Sequence, residues 1–225
     1  MNHDCKHCPF NSRVINSIND DSLEKLNSNH ITVSFNKGNT IIKQGTFSTN
    51  VAFLRTGLVK VHITGPYHEQ IVKIKKAPTF LGLPTTFGNK INQYSVTAIT
   101  DAEVCFIDVE IFKDLLKNND KFAFEIILEL CQYELESFRK CASRTQKQSR
   151  GNIAGVLLDF SDLIFESEDF LCPITQSEIG DLVDTTRESV SRILTEFDKE
   201  KIISVKGKNI QILNKNSLER ISKKG

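Results

Sequence analysis

Apolar residues recur along this chain with two different periods, and the change of period divides it. Over residues 31–108 they come in short runs, at 31–35, 40–43, 51–55, 58–63, 70–75, 94–99 and 103–108, separated by turn-forming residues. Glycines at 38, 45, 57 and 65 punctuate the runs, each suited to a turn that needs positive φ. Regular short strands with such turns predict a small β-barrel or β-roll. An amphipathic helix over 20–27 precedes them, and residues 109–148 turn helical. In the long helix a heptad holds without a slip, because Phe124, Leu128, Cys131, Leu135, Phe138, Ala142 and Thr145 alternate four and three apart. Such a seam is what a helix shows to a partner in a coiled coil. Ile126, Ile127 and Leu130 lie off the seam, so the same helix is expected to pack on the roll as well. One more amphipathic helix follows over 152–165, then an acidic loop, Glu166-Ser167-Glu168-Asp169.

The stretch 174–213 carries the most specific pattern. Thr175 stands three residues before Glu178, a capping box that starts a helix at Gln176 with Ile179, Leu182 and Val183 inward. Asp184 and Thr185 break it. Thr185 stands three residues before Glu188 and is read as the next cap, after which Val190, Ile193, Leu194 and Phe197 recur at helical spacing. Two helices joined by a turn of a few residues form a helix-turn-helix. Two β-rich pieces, 202–205 and 209–213, then flank Lys206-Gly207-Lys208 and predict a hairpin, or wing. On the outer face of the second helix stand Arg187, Glu188, Ser191 and Arg192. Arginine holds guanine through two hydrogen bonds, and glutamate accepts from the amino group of cytosine, so this face suits base edges. An ordinary solvated helix surface is the alternative reading of the same charges. Thr175, Gln176, Thr186, Ser189, Lys206 and Lys208 are the remaining candidates for contact with DNA, with Thr175, Gln176 and Lys208 expected on phosphate.

Charge sharpens this picture more than composition does. The net charge of +1 is uninformative, but residues 139–150 hold five Lys or Arg and no acid, and residues 199–225 hold eight against two acids. Basic surface thus gathers around the helix-turn-helix, where phosphates would be met. With 39% hydrophobic and 25% charged residues in 225, the chain can bury a sizeable core. No apolar run approaches a membrane span and the first twenty residues are polar, so a cytoplasmic protein without membrane contact is expected. Six cysteines then read as free thiols or metal ligands rather than a disulfide framework. No nucleophile has a base at a recognisable spacing, which argues against an enzyme.

A β-roll, a long helix and a C-terminal winged helix-turn-helix, in that order, resemble the Crp/Fnr family of bacterial transcription regulators over nearly the whole chain. The residues that carry the resemblance are Ile174-Thr175-Gln176-Ser177-Glu178-Ile179-Gly180, then Thr186-Arg187-Glu188-Ser189-Val190-Ser191-Arg192, and the Lys206-Gly207-Lys208 wing. It implies an α+β fold with a cyclic-nucleotide-binding-like jelly roll over 1–118, a dimerisation helix over 119–147 and a DNA-binding domain over 148–225. It implies a homodimer joined through Phe124, Leu128, Cys131, Leu135, Phe138 and Ala142, acting on a palindrome in double-stranded DNA, with RNA polymerase as a further partner. The Arg-Glu-x-x-x-Arg pattern of cyclic-AMP receptor proteins and the Glu-x-x-Ser-Arg pattern of Fnr-type regulators are both satisfied by residues 187–192. Half-sites near TGTGA or TTGA(C/T) are therefore expected. A ligand-binding sensor without specific DNA recognition remains the other class.

The resemblance also locates two effector sites. Cyclic-nucleotide members hold the cyclic phosphate with a Gly-Glu turn and an Arg-Ser pair; here Gly82 is followed by Leu83, and Ser95 is preceded by Tyr94. The bidentate arginine is the strongest contact in such a site, so this degenerate pocket is expected not to take cyclic AMP in the usual way. Fnr-type members bind an iron–sulfur cluster. Cys5 and Cys8 match the first two of its ligands and Cys105 the distant one, while Val14 stands where the remaining ligand would fall. Three thiols leave a four-iron cluster one ligand short, unless His3 or His7 completes it; zinc with a Cys/His set is the other candidate. Buried Cys105 and a loose terminal Cys5 and Cys8 form the plain alternative.

Overall fold

The computed structural model describes residues 14–225, and these divide into two compact units, 14–134 and 135–225. In the first, a single 3-10 turn (Ile15–Ser17) leads to α1 (Asp20–Ser28), capped by the Asn19 side chain, which accepts from the Ser22 N–H at 2.9 Å. Eight strands follow: β1 (His30–Phe35), β2 (Thr40–Ile42), β3 (Asn50–Thr56), β4 (Leu58–Thr64), β5 (Glu69–Lys76), β6 (Thr79–Leu81), β7 (Ser95–Ala98) and β8 (Ala102–Asp108). Helix α2 (Leu83–Gly88) lies between β6 and β7. The strands pair antiparallel into two sheets, in the orders β1-β8-β3-β6 and β2-β7-β4-β5.

The period of two explains how one sheet serves two cores. Ala52, Leu54 and Val104 join Val59, Val61, Val96 and Ala98 in the core of the roll. Their neighbours Val51, Phe53, Cys105 and Ile107 point the other way, into a layer with Leu23 and Leu26 of α1 and with two further helices. These are α3 (Val109–Asn118), which supplies Phe112 and Leu115, and α4 (Asp120–Gln146), which supplies Phe122 and Ile126. Phe112 sits at its centre, with ring centroids of Phe80 and Phe122 each 5.5 Å away. Asn119 breaks the helical run, and its buried amide donates to Ser22 Oγ at 2.9 Å, tying the break to the cap of α1.

Several details depart from the sequence reading. Strand β6 was not visible in it, and Gly65 is absent from the positive-φ positions that include Gly38, Gly45 and Gly57. Of the off-seam residues, Ile126 is buried and Leu130 packs against the same layer, whereas Ile127 is 54% exposed and does not join it.

The second unit continues α4 from Leu135 and adds α5 (Ser149–Asp159), which runs on through a π-helical turn (Phe160–Phe165). The helix predicted over 152–165 thus begins three residues earlier. Next come β9 (Asp169–Leu171), α6 (Gln176–Val183), α7 (Arg187–Lys199), β10 (Ile203–Lys206), β11 (Asn209–Ile212) and α8 (Lys215–Lys224). Strands β10, β11 and β9 form one antiparallel sheet, so the wing has a third strand that the sequence reading lacked. Helix α5 packs against α6, α7 and α8, and Ile153, Leu157, Ile179, Val190, Phe197 and Leu218 are fully or nearly fully buried.

Candidate nucleic-acid interface

The predicted capping box at α6 is formed in full. Thr175 Oγ1 accepts from the Glu178 N–H at 3.2 Å, and the Glu178 carboxylate accepts from the Thr175 N–H at 2.9 Å. Helix α6 ends at Asp184, which takes left-handed backbone (φ 59°), and the Thr185 N–H donates to the Gly180 carbonyl at 3.0 Å. The extra residue spent on this turn moves the second cap. Thr186, not Thr185, caps α7, accepting from the Ser189 N–H at 3.2 Å, while Thr185 Oγ1 accepts from Ser149 Oγ at 3.2 Å.

Helix α7 buries Val190, Ile193, Leu194 and Phe197 and turns Arg187, Glu188, Ser191 and Arg192 to solvent. The four candidate base readers therefore share one exposed face, as the 3.6-residue period requires. Beside it the Gly207-Lys208 turn of the wing has Gly207 at φ 63°, with Lys206 and Lys208 exposed. A cleft of about 610 Å³ opens between the starts of α6 and α7 and the wing, bordered by Gln176, Ser177, Arg187 and Lys208. Two helix N-termini and a lysine turn make this rim electropositive.

The end of α4 is fastened to this element. Ser143 Oγ donates to Asn152 Oδ1 at 3.1 Å, and Asn152 is buried. Burial pushes the Arg144 guanidinium below its usual pKa and the nearby Asp184 carboxylate pulls it back up, so the long helix faces the α6–α7 turn with opposite charge. Sequence reasoning missed Arg144, and it missed Arg150 and Glu196, which bear on Arg192 and are taken up below.

The residues matching the cyclic-nucleotide site lie together in the first unit. Gly82 takes left-handed backbone (φ 83°) at the start of α2, where a Cβ would come within 3.3 Å of Ile42 Cδ1, and Leu83 is buried in the helical layer. Tyr94 is half-buried; burial pushes its phenol above the usual pKa, and the nearby Thr85 side chain and Gly82 backbone oppose that. Thr85 Oγ1 is bonded to Gly82 O and Asn92, and Ser95 Oγ accepts from the Gln44 N–H at 3.0 Å. The polar groups of the degenerate pocket thus satisfy one another.

Cys5, Cys8, His3 and His7 lie outside the described residues. Cys105 is buried in the helical layer with Val14, Ile15 and Ile18, its thiol 3.4 Å from Thr32 Oγ1. Val14, at the position of a family ligand, is an apolar core residue there. Among the described residues no group of three His, Cys, Asp or Glu could hold a metal, so these residues alone do not fit a cluster. Also among them, no helix is long and apolar enough to cross a membrane.

Fold and exposed helix face together define a chain with an N-terminal β-roll domain, a long helix and a C-terminal winged helix-turn-helix. The family model for the cyclic nucleotide-binding domain matches residues 32–119, and that for the Crp-like helix-turn-helix domain matches residues 152–221. The fumarate and nitrate reduction regulatory protein of Vibrio cholerae is 28% identical over 218 residues, covering 93% of this chain and 86% of that one. The transcriptional activator protein FnrL of Cereibacter sphaeroides is 27% identical, covering 92% and 86%. Among solved structures, FixK2 from Bradyrhizobium japonicum has a TM-score of 0.78 at 18% identity, covering 85% of this chain and 96% of that one. A Crp/Fnr-family regulator from Eubacterium rectale has 0.77 at 18%, covering 94% and 98%. The chain belongs to the Crp/Fnr family: it is a DNA-binding transcription regulator and not an enzyme.

Proposed function

We propose that this regulator works as a cytoplasmic homodimer on a palindromic operator with half-sites near TGTGA or TTGA(C/T), with RNA polymerase as a further partner. The observation that carries this reading is the pairing of one exposed base-reading face on α7 with an exposed apolar seam on α4. On that seam Phe124, Leu135 and Phe138 are 60%, 55% and 63% exposed, Cys131 and Ala142 are also exposed, and Leu128 is half-buried. A second copy of the same helix, in register about a two-fold axis, covers such a seam by knobs-into-holes packing. The two α7 helices then have to stand one DNA turn, ~34 Å, apart to enter successive major grooves.

Arg187, Glu188, Ser191 and Arg192 take the role of base readers; Thr175, Gln176, Thr186, Ser189, Lys206 and Lys208 meet phosphate and sugar and set the register. In the sensor, the site at Gly82, Leu83, Tyr94 and Ser95 does not take cyclic AMP in the family's usual way. Without the glutamate and arginine the ribose hydroxyl and phosphate lose their partners, and the half-buried Tyr94 stands near Gly82 and Thr85 in place of the arginine.

The link from roll to long helix runs through Thr79, whose hydroxyl hydrogen bonds to Tyr133 of α4 at 2.5 Å and accepts from Lys75 Nζ at 3.1 Å. Lys75 also lies 3.9 Å from the centre of the Tyr133 ring. A change in β5 or β6 is thereby passed to α4 and to the spacing of the reading helices.

A metal- or redox-sensing form is the second reading. Its support is the turn of Cys105 toward Ile15 and Ile18, residues that follow Cys5 and Cys8 closely in the chain. Three thiols with His3 or His7 suit zinc, and a four-iron cluster would need one of the same histidines in place of the ligand that Val14 replaces.

One experiment tests both. Protein purified with and without oxygen is used to select bound sequences from random duplex DNA, with metal content and visible absorbance read on the same samples. A palindromic consensus is expected; indifference to base order in a monomeric protein overturns the regulator reading in this form. Absence of absorbance and of stoichiometric metal in the anaerobic sample ends the metal reading alone.

A further inference from the structure

Both carboxylate oxygens of Glu196 are taken by arginines. Oε1 accepts from Arg192 Nη1 at 2.8 Å and Oε2 from Arg150 Nη1 at 2.9 Å. Arg150 is itself fixed, since its Nη2 donates to Glu200 Oε2 at 2.6 Å and its guanidinium lies 4.6 Å from the centre of the Phe197 ring, which is fully buried. Arg150 belongs to α5, Arg192, Glu196 and Phe197 to α7, and Glu200 is the residue that caps the end of α7. A side chain anchored on a neighbouring helix therefore governs, through one carboxylate, an arginine on the exposed face.

An ion pair one turn apart on a solvated helix does little by itself, because two mobile side chains must be ordered to make it. Here one of the two is already ordered, which removes much of that cost. Arg192 is 66% exposed and has five N–H donors; with one given to Glu196, enough remain for the two that guanine takes in the major groove. An arginine held before contact loses less side-chain entropy on binding. The arrangement also explains how an acid is tolerated beside a DNA-facing surface: two guanidinium groups cover its charge.

We propose that Glu196, held by Arg150, is a positioning residue for base recognition, which fixes the Arg192 guanidinium and sets the preference at the base pair Arg192 reads. The inference rests on the assignment of Arg192 as a base reader, and its test separates the two.

Full-length wild type, Arg192→Ala, Glu196→Ala, Glu196→Gln and Arg150→Lys are each put through sequence selection on random duplex DNA, with thermal unfolding in parallel. Arg192→Ala identifies the base pair by losing preference there. Glu196→Ala is expected to weaken preference at that same pair by roughly three- to tenfold, part of the discrimination that a good bidentate contact gives. Other positions stay unchanged, and binding to random duplex is unchanged or tighter because a negative charge has gone. Glu196→Gln retains part of the preference. Arg150→Lys keeps the charge for any phosphate but loses the stacked fork, and weakens the same pair.

If Glu196→Ala and Glu196→Gln keep full preference at the pair that Arg192→Ala loses, the carboxylate only braces α5 against α7 and the proposal is overturned. If Arg192→Ala alters no preference, the base-reader assignment fails and this inference falls with it. Should the alanine variant unfold, the glutamine variant decides in the same way: a drop at that pair alone supports the role, and an unchanged preference removes it.

Discussion

The carbonyl oxygen of Thr185 occupies the space that a side chain at Gly180 would need. A Cβ there would lie 2.5 Å from that oxygen, while the Thr185 N–H donates to Gly180 O at 3.0 Å. The closeness of α6 to the start of α7 is thus set by a residue without a side chain, and the exposed face of α7 is aimed by the same contact.

Gly180→Ala should accordingly destabilise the second unit even though alanine is the better helix former by about 1 kcal/mol. The contact is with backbone, which cannot rotate away, so a net loss of about 1 to 3 kcal/mol, typical of overpacking, is expected. Thermal unfolding measures it. Operator binding should fall further than stability alone requires, because the two helices are re-aimed; a variant with unchanged midpoint and affinity would show that the turn relaxes freely.

Leu135→Glu on the α4 seam should separate the protomers without unfolding either one. Leu135 is exposed in the single chain, so the change costs the isolated fold almost nothing, yet in the dimer it places like charges opposite each other and removes roughly 1.5 to 3 kcal/mol of apolar burial per side chain. Sedimentation velocity is expected to show monomers, and operator affinity should drop to that of a half-site. Retention of the dimer would move the interface away from this seam.

Cys172 should be a slow thiol. Burial pushes it above the usual cysteine pKa, with the Glu178 charge adding to the shift, and its Sγ lies 3.3 Å from the Ile174 carbonyl. Among the described cysteines Cys141, exposed and not one of the α4 seam residues, should react first with a thiol reagent at neutral pH. A folded pKa above the unfolded one means that the native state holds the proton more tightly. This contribution is complete below the unfolded value of about 8.5 and is lost as pH rises through the folded value. Wild type should therefore lose stability relative to Cys172→Ala as the solution becomes alkaline, read from unfolding midpoints across that range; parallel curves would show that the thiol does not titrate in the native state.

The parts of this architecture that were legible in the sequence are those written in local chemistry. The capping box at Thr175 and Glu178 reads directly, because both partners lie within one turn. The second cap was misplaced by one residue because Asp184 enters left-handed backbone, a choice forced by the close approach of Gly180 to Thr185 and invisible in a one-dimensional pattern. The exposed face of α7 followed from periodicity alone, but the grip on Arg192 did not: Glu196 is one turn away and could have been found by its spacing, whereas Arg150 lies 46 residues from it. Likewise Tyr94 was legible as a missing arginine, and its burial near Thr85 and Gly82 was not, since that depends on the folded chain.

Lys208 and Arg187 border the same cleft yet should fail in different ways when removed. Lys208 sits at the tip of the wing, exposed, in a turn whose backbone is fixed by pairing of Lys206 with Asn209 and by the Cys172 N–H, which donates to Lys208 O at 2.9 Å. A point charge so placed is proposed to meet phosphate, and phosphate carries no sequence information directly. Lys208→Ala should weaken operator and random DNA alike and reduce the slope of log affinity against log salt by about 1. Arg187 lies in the first turn of α7, which is proposed to enter the groove, so Arg187→Ala should cost about 1 to 3 kcal/mol on the operator, much less on random DNA, and blur one base position. Titrations at several salt concentrations on both duplexes separate the two patterns. If Lys208→Ala instead altered base preference while leaving the salt slope intact, the wing would be reading bases and the division of labour between helix and wing would have to be reversed.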